Sequence, residues 1–241
     1  METTGKGNRN TSVEDMDKHN KQIFKNLILI GFGANSELKA YSEFGRFSLL
    51  FNGYNIHIFN LRTARQMLKQ WKEVSALKAF DKLSHNVMRA DLFKYVALYN
   101  IGGFYLDIKS GLQPGKDVKC LEKLSKEAWF MLNSGGLIDT WSMFGVRGST
   151  LFKYVKTKLV SEILIGRSPN GLIFEQKVFD TTGPVALRRI IPKYHKPNIQ
   201  PSETGCLLYD IRGAGSSWND PGSYHQEPFW KSVYVNELFR L

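Results

Sequence analysis

Between Ser84 and Lys109 the chain changes its hydrophobic period at a pair of glycines, and this constrains the fold more than any other feature. Ser84 is placed to cap a helix over about His85 to Asn100, with an apolar stripe through Met88, Leu92, Tyr95 or Val96, and Tyr99. Gly102-Gly103 stops that helix, and Phe104-Tyr105-Leu106-Asp107-Ile108 reads as a strand. Asp91 and Lys94 lie three residues apart on another face of the helix, where they reach one ligand or each other. Along the strand, Asp107 and Lys109 alternate onto one side at its carboxyl end.

The preceding residues set the same alternation. Phe24 to Phe32 reads as a short buried strand ending in Gly31-Phe32-Gly33, where glycine permits a tight turn or a close backbone approach to a ligand. Glu37 to Phe51 reads as helical, Tyr54 to Phe59 as a second strand, and Leu61 to Phe80 as helical again, with Leu61, Ala64, Leu68, Trp71 and Ser75 on one stripe. This β-α-β-α order predicts an α/β fold with a Rossmann-like, mainly parallel sheet covered by helices, whose ligands gather at the carboxyl ends of the strands. Further on, Ala128 to Leu132 and Thr140 to Val146 read as strands, and Ser149 caps a helix reaching about Ile165. Pro184 opens a basic helix through Ile191, Cys206 to Ile211 is a late strand, and Gly213 to Trp218 is a glycine-rich loop.

At 241 residues, 42% of them hydrophobic, the chain has material for one packed domain, which excludes a disordered protein. Residues 1–22 are expected to be a flexible segment and 23–241 a single domain. Cys120 and Cys206 have no spacing that suits a disulfide scaffold or a zinc site. The apolar run Leu27 to Ile30 is far short of the roughly 20 residues that span a bilayer, and the polar start lacks a signal-peptide core, so a soluble cytoplasmic protein is expected. A net charge of +11 invites a nucleic-acid partner. No RNP-like motif, zinc-finger spacing or long Lys/Arg run accompanies it, so no nucleic acid is expected. The excess concentrates between Arg147 and Lys196, where 10 Lys and Arg face only Glu162, Glu175 and Asp180, a local +7.

The stretch from Arg89 to Lys109, with Ala90-Asp91-Leu92-Phe93-Lys94 before Gly102-Gly103-Phe104-Tyr105-Leu106-Asp107-Ile108-Lys109, resembles the signature of the DXD sugar transferases. In glycosyltransferase family 32, the mannosyltransferase type, and in the large glucosylating bacterial toxins, a helix bearing Ser-Asp-Ile/Leu-Leu/Phe-Arg leads into Gly-Gly-Ile/Val-Tyr-x-Asp-x-Asp. Thr182-Gly183-Pro184 resembles that family's T-G-P, and Ala214-Gly215-Ser216-Ser217-Trp218 its C-terminal A-G-S-W with one extra serine. The resemblance implies a GT-A-type fold, with a donor-binding half over about 23–115 and an acceptor-side half over about 116–241. It implies transfer of a hexose or pentose, with retention, from a UDP- or GDP-linked sugar to a glycan or other acceptor. Asp91 and Lys94 would contact the transferring sugar, Asp107 the ribose and a metal, and Tyr105 the substrate. Phe32, beside Gly31, stands where relatives stack an aromatic on the nucleotide base, and a core phenylalanine fits it equally. Ser216, Ser217 and Trp218 close over the diphosphate or form a plain surface loop.

One departure matters. The second aspartate of the motif, a direct metal ligand in the family, is Lys109, and the family's C-terminal ligand histidine is replaced by Asp210-Ile211-Arg212. An ammonium group donates and cannot coordinate a cation. Either Lys109, with Arg212, brings to the diphosphate the positive charge a metal would bring, and no cofactor is needed, or Lys109 turns outward. In the second case Asp107, with Asp210 or His225, binds Mn2+ or Mg2+. Loss of activity, leaving an inactive sugar-nucleotide-binding protein, is one alternative, and a basic nucleic-acid-binding protein is a further one. The +7 block falls on the acceptor side and predicts an anionic acceptor.

Overall fold

β1 (Asn26–Ile30) lies between two parallel neighbours, β2 (Asn55–Phe59) and β3 (Gly103–Leu106), in the chain's computed structural model, which describes residues 25–108, 110–112, 128–132, 138–166, 174–191, 208–210 and 231–234. Leu27, Ile28 and Leu29 are all fully buried, as a run of consecutive aliphatics must be in a strand covered on both faces. After β3 the sheet continues antiparallel through β6 (Ile138–Gly145), β5 (Ala128–Leu132) and β8 (Lys231–Tyr234), in the order β2-β1-β3-β6-β5-β8. A separate antiparallel ladder pairs β4 (Ser110–Leu112) with β7 (Leu208–Asp210). The expected α/β, Rossmann-like single domain is thus present, with its parallel part in β2-β1-β3 and an antiparallel extension beyond it.

Strand alternation divides the core into two layers. Leu27, Leu29, Phe104, Leu106 and Phe144 face α1 (Ala34–Ser42) and α2 (Phe44–Leu50), meeting Ala40, Phe47 and Phe51. Ile28, Tyr105 and Met143 face the larger helical layer. That layer contains α3 (Leu61–Gln70), α4 (Val74–Lys82), α5 (Asn86–Ile101), α6 (Thr150–Leu164), α7 (Phe174–Thr181) and α8 (Pro184–Ile190).

The glycine pair is required by how closely β3 is inserted. Gly102 caps α5 with φ 70°, and Gly103 follows with φ 101°; a Cβ on Gly103 would stand 2.3 Å from the Asn26 carbonyl oxygen. Several boundaries differ from the sequence expectation, most of all in the helices. The helix expected over Leu61 to Phe80 is two helices, broken where Lys72 takes φ 58° and the Glu73 N–H returns to the Leu68 carbonyl. The helix expected over Glu37 to Phe51 divides at Glu43. The long helix begins at Asn86 with His85, not Ser84, in the capping position. Ser149 does cap α6, its hydroxyl accepting from the Phe152 N–H at 3.4 Å.

Candidate functional site

α5 presents Asp91 and Lys94 to the sheet, where they are 8% and 3% exposed. Charges this deeply buried persist only when paired and hydrogen-bonded. Lys94 Nζ donates to Asp91 Oδ1 at 2.5 Å and to the Thr140 carbonyl of β6 at 3.0 Å. Thr182 Oγ1, in the turn that opens α8, donates to Asp91 Oδ2 at 3.0 Å. The Tyr95 hydroxyl fixes that turn in place by donating to the Thr182 carbonyl at 3.1 Å. Lys94 Nζ also lies 5.2 Å from the centre of the Tyr105 ring, a cation–π distance.

Tyr105 extends the network along β3. Its ring is buried, and its hydroxyl donates to Asp107 Oδ1, two residues on and therefore on the same side of the strand. Burial pushes the Tyr105 phenol well above its usual range; the charge of Asp107, their hydrogen bond and the charge of Asp91 add to it, so the group remains a neutral donor. The Asp107 N–H pairs with the Trp141 carbonyl at 2.8 Å, anchoring the end of the strand. Four residues singled out in the sequence, Asp91, Lys94, Tyr105 and Asp107, therefore meet at the carboxyl end of β3.

Other candidates are placed differently. Phe32 packs among core aromatics, its ring 5.9 Å from Phe80 and 6.1 Å from Phe93. At Gly31 the close backbone approach is internal: a Cβ there would stand 2.5 Å from the Ser36 carbonyl oxygen. The β4–β7 register sets the Asp210 backbone opposite Ser110, next along the chain from the motif. Lys109, Arg212, Ser216, Ser217, Trp218 and His225 lie outside the described residues, as does the 1–22 segment. Among the described residues no group of three or more His, Cys, Asp and Glu could hold a metal ion. Asp91 accepts from Lys94 and Thr182, and Asp107 from Tyr105.

Several contributors were not read from the sequence as partners of this cluster, although Thr182 belongs to the T-G-P motif and Tyr95 to the apolar stripe named there. Thr140 acts through its carbonyl, and Thr182 and Tyr95 through contacts made only in the fold. Arg46 of α2 reaches the Ile108 carbonyl at 3.3 Å, placing a guanidinium beside the exit of β3. A groove lined by Glu37, Asn60, Leu61, Arg62 and Arg65 opens at the carboxyl ends of β1 and β2. Asn60 shapes it, capping α3 at Thr63 N–H while its Nδ2 donates to Glu37 Oε1 at 2.7 Å. The basic block is partly compensated: Arg189 pairs with Glu162 and Asp180, and Lys156 with Glu73.

No curated protein matches the sequence. Among solved structures, the chain is similar to one described as "PaToxG Glycosyltransferase", with a TM-score of 0.50 and 12% identity over 75% of this chain and 76% of that one. At that identity the likeness bears on the fold, a glycosyltransferase fold of GT-A-like form. The family model described as "Glycosyltransferase sugar-binding region containing DXD motif" matches residues 10–131, about half of the chain. That span contains α5, the glycine pair and Asp107, and the chain belongs to this glycosyltransferase family.

Proposed function

We propose that the protein transfers a sugar, a hexose or pentose, from a UDP- or GDP-linked donor to a glycan or other acceptor, as the likeness to family 32 suggests. The observation that carries this reading is the cluster of Asp91, Lys94, Tyr105 and Asp107 at the carboxyl end of β3. Carboxylates accept hydrogen bonds from sugar and ribose hydroxyls, and charge-assisted bonds of this kind are the strong ones. In this reading Asp91 meets the transferring sugar and Asp107 the ribose.

A departing diphosphate gains negative charge, which a preorganised cation must stabilise. Lys94 is already engaged by Asp91 and the Thr140 carbonyl, so that role is assigned to Lys109, with Arg212. Retention follows from the resemblance, with a phosphate oxygen of the donor serving as base. A second reading, an inactive sugar-nucleotide-binding protein, is favoured by the lysine at the position of a metal ligand.

Calorimetry with a panel of UDP- and GDP-sugars, followed by a donor-hydrolysis assay on the tightest binder, separates these. Binding with slow hydrolysis supports transfer. Binding with no hydrolysis supports the inactive reading, and no binding overturns both.

A further inference from the structure

Among the described residues, exposed positive charge gathers on three neighbouring helices. α4 packs against both α3 and α6, so the three helices lie side by side in one layer. α3 exposes Arg62, Arg65 and Lys69 there, and Lys72 follows in the turn. α4 adds Lys78 and Lys82, and α6 adds Lys153 and Lys158. Among the described residues of these helices Asp81 is the one exposed acid, held by Arg65 through bonds of 2.9 and 2.8 Å. The two partly buried carboxylates at these helices are ion-paired, Glu73 with Lys156 and Glu162 with Arg189. The Arg65 hydrogen bond holds the Asp81 carboxyl below its usual range, and the charges of Arg89 and Lys69 act in the same direction.

Apolar side chains stand among these cations. Val74 at the start of α4 is 61% exposed, Tyr154 on α6 is 42% exposed, and Ile165, just past the end of α6, is 76% exposed. Tyr154, Lys158 and Ile165 are four and seven residues apart, so they follow one side of the helix, and Lys158 Nζ lies 5.6 Å from the centre of the Tyr154 ring. The ion pair between Glu73 and Lys156 sets the first turn of α4, with Lys72 and Val74, against the early turns of α6, with Lys153 and Tyr154.

We propose that this face docks on an anionic lipid bilayer. Lysines attract acidic headgroups, while exposed aliphatic tips gain free energy only where they can enter the boundary between headgroups and acyl chains. A nucleic acid would satisfy the cations and leave Val74 and Ile165 in water. No described helix is long and apolar enough to cross a membrane, so the contact is peripheral. The proposal does not depend on the glycosyltransferase reading.

Co-sedimentation of the full chain with vesicles of phosphatidylcholine, alone or with about 30% phosphatidylserine, tests it at about 50 and about 300 mM salt. Binding is expected only to the anionic vesicles and falls with salt. Lys78→Glu with Lys158→Glu should lower the partition coefficient at least about tenfold. Ile165→Ser should lower it while preserving the salt dependence. All three side chains are exposed, so thermal melts should be unchanged; if the doubly reversed variant fails to fold, Lys78→Gln with Lys158→Gln replaces it. Equal binding to both kinds of vesicle, binding to neither, indifference to the lysine substitutions, or tighter binding to a double-stranded DNA fragment than to the anionic vesicles would overturn the proposal.

Discussion

Thr182 Oγ1 donates to Asp91 Oδ2 at 3.0 Å, joining the turn that opens α8 to the middle of α5 across 91 residues of sequence. The isosteric Thr182→Val leaves that buried carboxylate oxygen without its donor, a loss of about 1–3 kcal/mol in stability. Because Asp91 is assigned to the sugar, affinity for the intact sugar nucleotide should fall more than affinity for the nucleoside diphosphate. Thr182→Ser, which retains the hydroxyl, should restore most of both. Calorimetry on the two ligands and a denaturant titration measure these effects.

Lys94→Met strands a buried carboxylate and should cost about 3–5 kcal/mol, whereas Lys94→Met combined with Asp91→Asn removes both charges and should recover most of the loss. Equilibrium unfolding of the two variants reads the difference. A double variant no more stable than the single one would show that the pair is not the origin of the cost.

Tyr105→Phe keeps the ring and removes the donor to Asp107. Donor affinity should weaken without loss of fold, while Asp107→Ala should abolish donor binding or turnover. Unchanged turnover in Asp107→Ala would refute the assignment of that residue.

Among the described residues, Tyr105 and His57 contribute to the pH dependence of stability through burial. The Tyr105 phenol is raised in the fold, mainly by burial, so above its ordinary value of 10.0 the unfolded chain releases a proton that the fold retains, and stability falls. His57 is lowered by burial, so below its ordinary 6.5 the unfolded chain takes up a proton that the fold resists, and stability falls again. Tyr105→Phe should flatten the alkaline decline and His57→Gln the acid one, as read from melting temperature against pH.

If Lys109 supplies the charge at the diphosphate, turnover should survive a strong chelator. Turnover abolished by chelation and restored by Mn2+ would instead assign the cation to Asp107 with Asp210 or His225.

What was legible in the sequence is what local chemistry dictates. The step from α5 to β3 could be read because the hydrophobic period changes at Gly102-Gly103, and the positive φ values there require glycine. The break between α3 and α4 could not, because Trp71 and Ser75 continue the helical stripe and Lys72 has no intrinsic preference for the left-handed conformation it adopts. Asp91 and Lys94 were recognisable as a pair from their spacing, but their partners were not. Thr140 offers a backbone carbonyl, which leaves no mark in the sequence, and Thr182 is brought close only by the packing of α8. Phe32 shows the same ambiguity: the residue type suits a base-stacking platform or a core, and its contacts with Phe80 and Phe93 are made only in the folded chain.

The closure of Lys94 onto Asp91 also determines what an approaching donor encounters. Two opposite charges 2.5 Å apart form a short dipole whose potential fades much faster with distance than that of either ion. A doubly charged donor arriving through solvent is therefore neither repelled by the carboxylate nor drawn in by the ammonium group. In the proposed reading the pair would act only at contact, on hydroxyl geometry, and long-range capture of the anion would fall to cations elsewhere on the protein.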